Sequence, residues 1–92
     1  MKICLYATLR DKVGHKEVEL PYATHQTVGD ILHELVKVHP ELNDDIWNAD
    51  GSLTGHVVVI LGGRDIRHLD GVNTPLSEDD WLDVFPPVGG GR

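Results

Sequence analysis

Cysteine occurs once in the 92 residues, at Cys4. No intramolecular disulfide can therefore form, and because Cys4 sits inside an apolar stretch it reads as a small buried hydrophobe and not as a reactive thiol. Basic residues are also few: eight Lys and Arg stand against fifteen Asp and Glu, for a formal charge of −7. A phosphate-binding surface needs a basic stripe and these eight are scattered, so nucleic acid is not an expected partner, whereas basic protein surfaces are. Long hydrophobic runs are missing too. The longest, Val57-Val58-Val59-Ile60-Leu61, is far short of a bilayer span, and no charged segment followed by an apolar one opens the chain. The expectation is a soluble, cytoplasmic protein that makes no use of a membrane.

The constellations that carry catalysis are absent as well. His15, His25, His33, His39, His56 and His68 show no spacing of three or four on a helix, so no metal site is expected. Gly62-Gly63-Arg64 and the terminal glycines open no helix and make no phosphate loop. Asp79 and Asp80 sit at a turn, where solvated carboxylates are the rule, and no serine or cysteine has a base to activate it. The chain reads as a non-enzyme with no permanently bound cofactor. No internal repeat or linker interrupts it.

What is present suits one small α+β domain. Residues 2–9 alternate, with Ile3, Leu5, Ala7 and Leu9 on one face and Cys4 and Tyr6 on the other, which predicts a central strand. Residues 11–15 supply a turn, and 16–20 return with Val18 and Leu20 inward, closing a hairpin. After Pro21, Thr27 reads as the N-cap of a helix with Asp30 as its reciprocal partner; Val28, Ile31, Leu32, Leu35 and Val36 form the apolar stripe, and Pro40 ends it. Residues 41–55 predict an irregular crossing anchored by Ile46 and Trp47, with a turn at Asp50-Gly51. A second hairpin follows, with strands over 56–61 and 64–69 around Gly62-Gly63, and 81–85 is the last strand.

Hairpin, helix, hairpin and final strand is the order of the β-grasp, or ubiquitin-like, fold: a mixed sheet of about four to five strands with one main helix across one face. In it the last strand lies centrally, parallel to the first, as the apolar character of both suggests. A single helix covers only one face, which leaves over Tyr6, Trp81, Phe85 and one parity of residues 57–61. These are either ordinary surface apolarity or a partner-docking patch.

The last strand runs into Pro86 and Pro87, which donate no backbone hydrogen bond and should end pairing. Beyond them Gly89, Gly90 and Gly91 bring no side chain to bury. Ordering them costs roughly 3–6 kcal/mol, so the reading divides the chain into a domain over 1–88 and a flexible tail over 89–92. From Pro86 to Gly91 the reach is about 20 Å at about 3.3–3.6 Å per extended residue, enough to thread a carboxylate into another protein's active site.

Phe85-Pro86-Pro87-Val88 followed by glycines, and preceded by Thr74-Pro75-Leu76-Ser77-Glu78-Asp79-Asp80, closely resembles the C-terminal signature of the MoaD/ThiS family of ubiquitin-like sulfur carriers. Tyr6-Ala7-Thr8-Leu9-Arg10, Thr27-Val28 and Gly63-Arg64-Asp65-Ile66-Arg67 also look like that family's pattern. The resemblance implies that Gly91 is adenylated with ATP by a ubiquitin-activating-type enzyme, and that sulfur from a sulfurtransferase then leaves a thiocarboxylate. Gly90 and Gly89 would be the slender approach and Phe85, Pro86, Pro87 and Val88 the docking stem. Arg64, with Asp65 and Arg67, is either a charged edge that blunts sheet pairing or a contact for the activating enzyme.

One feature departs from the family pattern. Arg92 follows the last glycine, so its removal by a carboxypeptidase or a ubiquitin-type metalloprotease is expected before activation. The expected acceptor is the large subunit of molybdopterin synthase, in molybdenum cofactor biosynthesis. Carriers for cysteine, thiamin or transfer-RNA thiolation, lysine-linked protein modifiers, and a β-grasp interaction module that is never conjugated stay open as alternatives.

Overall fold

The computed structural model describes residues 1–87. Five strands form one mixed sheet in the order β2-β1-β5-β3-β4. They are β1 (Lys2–Leu5), β2 (Glu17–Glu19), β3 (Val58–Leu61), β4 (Arg64–Asp65) and β5 (Trp81–Phe85). β5 lies between β1, to which it is parallel, and β3, to which it is antiparallel. The last strand is thus central, as expected, and the chain is an α+β protein with the β-grasp topology. No helix among the described residues is long and apolar enough to cross a membrane.

Side-chain alternation sorts the sheet into two faces. Ile3 and Leu5 of β1, Leu82 and Val84 of β5 and Val59 of β3 meet Val28, Ile31, Leu32 and Leu35 of helix α2 (Val28–Val38). Each of these is at most 1% exposed. The helix starts where the sequence places it: Thr27 Oγ1 accepts the Asp30 N–H at 3.2 Å and Asp30 Oδ2 accepts the Thr27 N–H at 3.0 Å, a closed capping box despite the short carboxylate arm. Pro40 then opens a 3-10 turn, and the residue before it cannot readily stay helical.

The predicted first strand is too long. β1 stops at Leu5, and residues 7–13 form helix α1 (Ala7–Val13), entered through Ala7 with φ +52°. Gly14, read as part of a hairpin turn, is instead the left-handed C-cap of that helix, its N–H bonded to Arg10 O at 2.7 Å. Leu9 reaches the core from the helix, fully buried, with Val13 packed beside it one turn on. The second hairpin is also shorter than predicted. Its first strand begins at Val58, and after Asp65 the chain turns into a 3-10 helix (Ile66–His68), because the Asp65 carboxylate caps it by accepting the Arg67 N–H at 2.9 Å.

The expected irregular crossing contains a 3-10 turn (Pro40–Leu42) and a short helix, α3 (Asn43–Ile46), with Ile46 and Trp47 buried as anchors. At the turn that follows, Asp50 Oδ1 accepts the Ser52 N–H and O–H at 3.0 and 2.6 Å, and these bonds hold the Asp50 carboxyl below the usual carboxylate range. The boundary at residue 88, Val88 itself and the proposed tail over 89–92 lie outside the described residues.

Candidate functional site

β5 delivers the stem. Its last ladder pairs are Val84 with Leu5 and Phe85 with Val58. The prolines then end the pairing, since neither has an N–H to offer. Pro86 is buried and Pro87 exposed. The residues expected to carry the chemistry, Gly91 and Gly90, with Gly89, Val88 and Arg92, fall outside the described residues.

The face of the sheet away from α2 runs up to the end of β5. Trp81, Asp83 and Phe85 alternate onto it from β5, flanked by Cys4 of β1 and by Val58 and Ile60 of β3. Trp81 is 47% exposed. Tyr6, where the chain turns from β1 into α1, lays its ring flat on Phe85 at 4.2 Å between centroids and 10° between planes. Its hydroxyl donates to Asp83 Oδ1 at 2.9 Å. One side chain therefore braces both the final residue of β5 and a carboxylate two residues earlier.

Charge is arranged around this brace. Lys16 Nζ lies 5.3 Å from the Tyr6 ring centroid and Lys2 Nζ 5.8 Å from that of Trp81, both within cation–π range. The Tyr6 hydroxyl is pushed up to about 12, first because its proton is held by Asp83 and second by burial. It stays a donor through neutral pH. Burial above all, and then the Asp83 charge, push the Cys4 thiol up, in keeping with the small buried hydrophobe that its setting in the sequence suggests.

Arg64 is exposed in β4 at the sheet edge, with β3 between it and β5. Its neighbours make a local pair. Arg67 Nη2 and Nε grip Asp65 at 2.6–3.1 Å, and those bonds hold the Asp65 carboxyl down to about 2. This pair fits the reading of a charged edge. No cluster of three or more metal-ligating side chains occurs among the described residues. A pocket of about 340 Å³, walled by the stacked rings of His33 and Trp47, belongs to the helical layer and not to the open face.

Asp83 is the residue that sequence reading passed over. Its signal in the sequence is a carboxylate alternating between Trp81 and Phe85 on one parity of residues 81–85.

Small archaeal modifier protein 3 of Haloferax volcanii is 37% identical over 91 residues, covering 99% of this chain and 98% of that protein. The crystal structure of SAMP1 from Haloferax volcanii matches with a TM-score of 0.88 at 32% identity, over 98% of this chain and 97% of that one. A chain of the Amycolatopsis orientalis BexX/CysO complex, at 24% identity and a TM-score of 0.81 over 98% of both chains, shares the fold. A family model described as the ThiS family matches residues 3–91, from the second residue of β1 through the glycines beyond the stem, and the chain belongs to that family.

Proposed function

We propose that this protein is a ubiquitin-like carrier that performs no reaction itself and whose Gly91 carboxylate is activated by a partner. The observation that supports this most is the placing of Phe85-Pro86-Pro87 at the end of the central strand, with Phe85 braced by Tyr6 and with Val88 and three glycines following in the sequence. A carboxylate is a poor electrophile. A ubiquitin-activating-type enzyme joins it to the AMP of ATP, releasing pyrophosphate. Sulfide, or a sulfurtransferase persulfide followed by thiol reduction, displaces AMP and leaves a thiocarboxylate.

The acceptor is the finer point. One destination is the large subunit of molybdopterin synthase, in molybdenum cofactor biosynthesis, where the thiocarboxylate donates its sulfur. The second reading, a modifier joined to lysines of other proteins, is favoured by the name that the relatives with 32–37% identity carry, small archaeal modifier protein. Both need the same activated glycine. Both also require that whatever follows Gly91, beginning with Arg92, be removed first, because a long cationic side chain does not suit a channel shaped for glycine.

Intact mass measurement tests this. Incubated with the adenylating enzyme, ATP and a sulfur donor, a version ending at Gly91 is expected to gain about 16 Da, the exchange of OH for SH, and the full chain is not. Isopeptide-linked products in place of that gain favour the modifier reading. Equal adenylation of both versions refutes the trimming step, and no adenylation of either refutes the carrier reading.

A further inference from the structure

Asp83 places a charge among apolar nearest neighbours, with Glu17 of β2 and Asp65 of β4 one strand further out in the same row. Its cross-strand neighbours are Cys4 and Ile60, and Trp81 and Phe85 flank it along the outward parity of β5. Tyr6 occupies Oδ1. Among the described residues no Lys, Arg or His nitrogen lies within 4.0 Å of the carboxylate. The lysines that border this face lie over rings instead, Lys16 over Tyr6 and Lys2 over Trp81, and Lys2 also lies 3.9 Å from Glu17. In the free protein Asp83 is only half-buried, so water can serve its second oxygen. Covering the face strips that water away. A partner bringing only apolar surface would bury an uncompensated charge, which is strongly unfavourable, whereas one bringing a basic side chain would gain a charge-assisted hydrogen bond.

We propose that Asp83 is the specificity anchor of the open face, receiving one arginine or lysine side chain, set in an apolar surround, from the enzyme that adenylates the tail. This rests on the carrier reading above. Continuity selects that partner: Phe85 belongs both to the open face and to the stem, so a protein that holds the chain beyond Pro87 in its active site lies against the residues around Asp83. The net charge of −7 draws a basic surface in the same direction. Tyr6 is a positioning residue here. By holding Oδ1 it fixes the carboxylate and leaves Oδ2 for the incoming cation.

The test is ATP–pyrophosphate exchange by the adenylating enzyme of the same organism, read against carrier concentration, with the full chain or the version ending at Gly91, whichever the enzyme accepts as wild type. Asp83→Asn keeps an acceptor for Tyr6 but loses the charge, and should raise KM for the carrier about thirtyfold or more with the loss absent from kcat. Asp83→Lys should raise it further and be partly rescued by reversing the charge of the enzyme's contacting basic residue. Tyr6→Phe, which keeps the stacked ring, should raise KM by a smaller factor. Thermal melting and amide spectra establish that each variant is folded.

A KM within twofold of wild type for both folded Asp83 variants overturns the anchor while leaving the carrier reading standing. So does a wild-type dimer in sedimentation that Asp83→Lys converts to monomer, since the carboxylate would then serve a second copy. If no wild-type form is adenylated, the carrier reading falls and the anchor with it.

Discussion

At Tyr6 a single side chain ties a hydroxyl to Asp83 and a ring to Phe85. Its folded pKa of about 12 lies above an unfolded value near 10, so the stabilisation it lends is complete below pH 10 and is lost as pH rises to about 12. Urea midpoints for the wild type should fall across that window more steeply than those of Tyr6→Phe; parallel limbs would refute the link. Asp65 behaves with the opposite sign. Held down to about 2 by Arg67, it contributes above pH 4 and loses that contribution as pH falls towards 2. A carboxyl NMR titration should place its midpoint near 2, and Arg67→Ala should move it back towards the ordinary aspartate range. Because Asp65 also caps the turn after β4, Asp65→Ala is expected to cost about 1 kcal/mol by chemical denaturation.

Among the elements, α2 was the most legible in the sequence. Its cap pair and apolar stripe are local features, and a local feature needs no knowledge of the rest of the chain. α1 was not legible, because Ala7 and Leu9 continue the alternation of β1 although the backbone has turned; a left-handed alanine at the junction leaves no mark in a hydrophobic pattern. Leu9 and Val13, four apart, with Gly14 after them, were the helical signal available. Asp65 likewise hid a cap inside what reads as a strand. The end of β5 was readable from its two prolines, but the brace was not, since a hydrogen bond between residues 6 and 83 depends on β1 and β5 being neighbours. Gly29 in α2 shows how tertiary contact overrides propensity. Replacing an interior helical glycine by alanine ordinarily stabilises by about 1 kcal/mol. Here the new Cβ would stand 3.1 Å from both Cβ and O of Val72, so Gly29→Ala should lower the melting temperature.

For the molecule as a whole, β5 divides its labour by face. Leu82 is fully buried under α2, whereas Trp81 beside it is 47% exposed on the other side. Leu82→Ala is expected to cost about 2–5 kcal/mol, a large share of the total for a domain of this size. Trp81→Ala should cost far less in a urea titration and show its effect on partner affinity instead. If Trp81→Ala destabilised as much as Leu82→Ala, the open face would be part of the core and not a docking surface.

The central place of β5 also bears on how the protein is made. A ribosome emits β1 first and β5 last among the strands, yet β1 and β3 each pair with β5 and not with one another. A nascent chain broken off before residue 85 lacks the middle of its sheet and has no means of closing. Translation errors that shorten the product before that point thus remove themselves as unfolded material, and every molecule that reaches the native state has already acquired β5 and with it Phe85, the first residue of the stem.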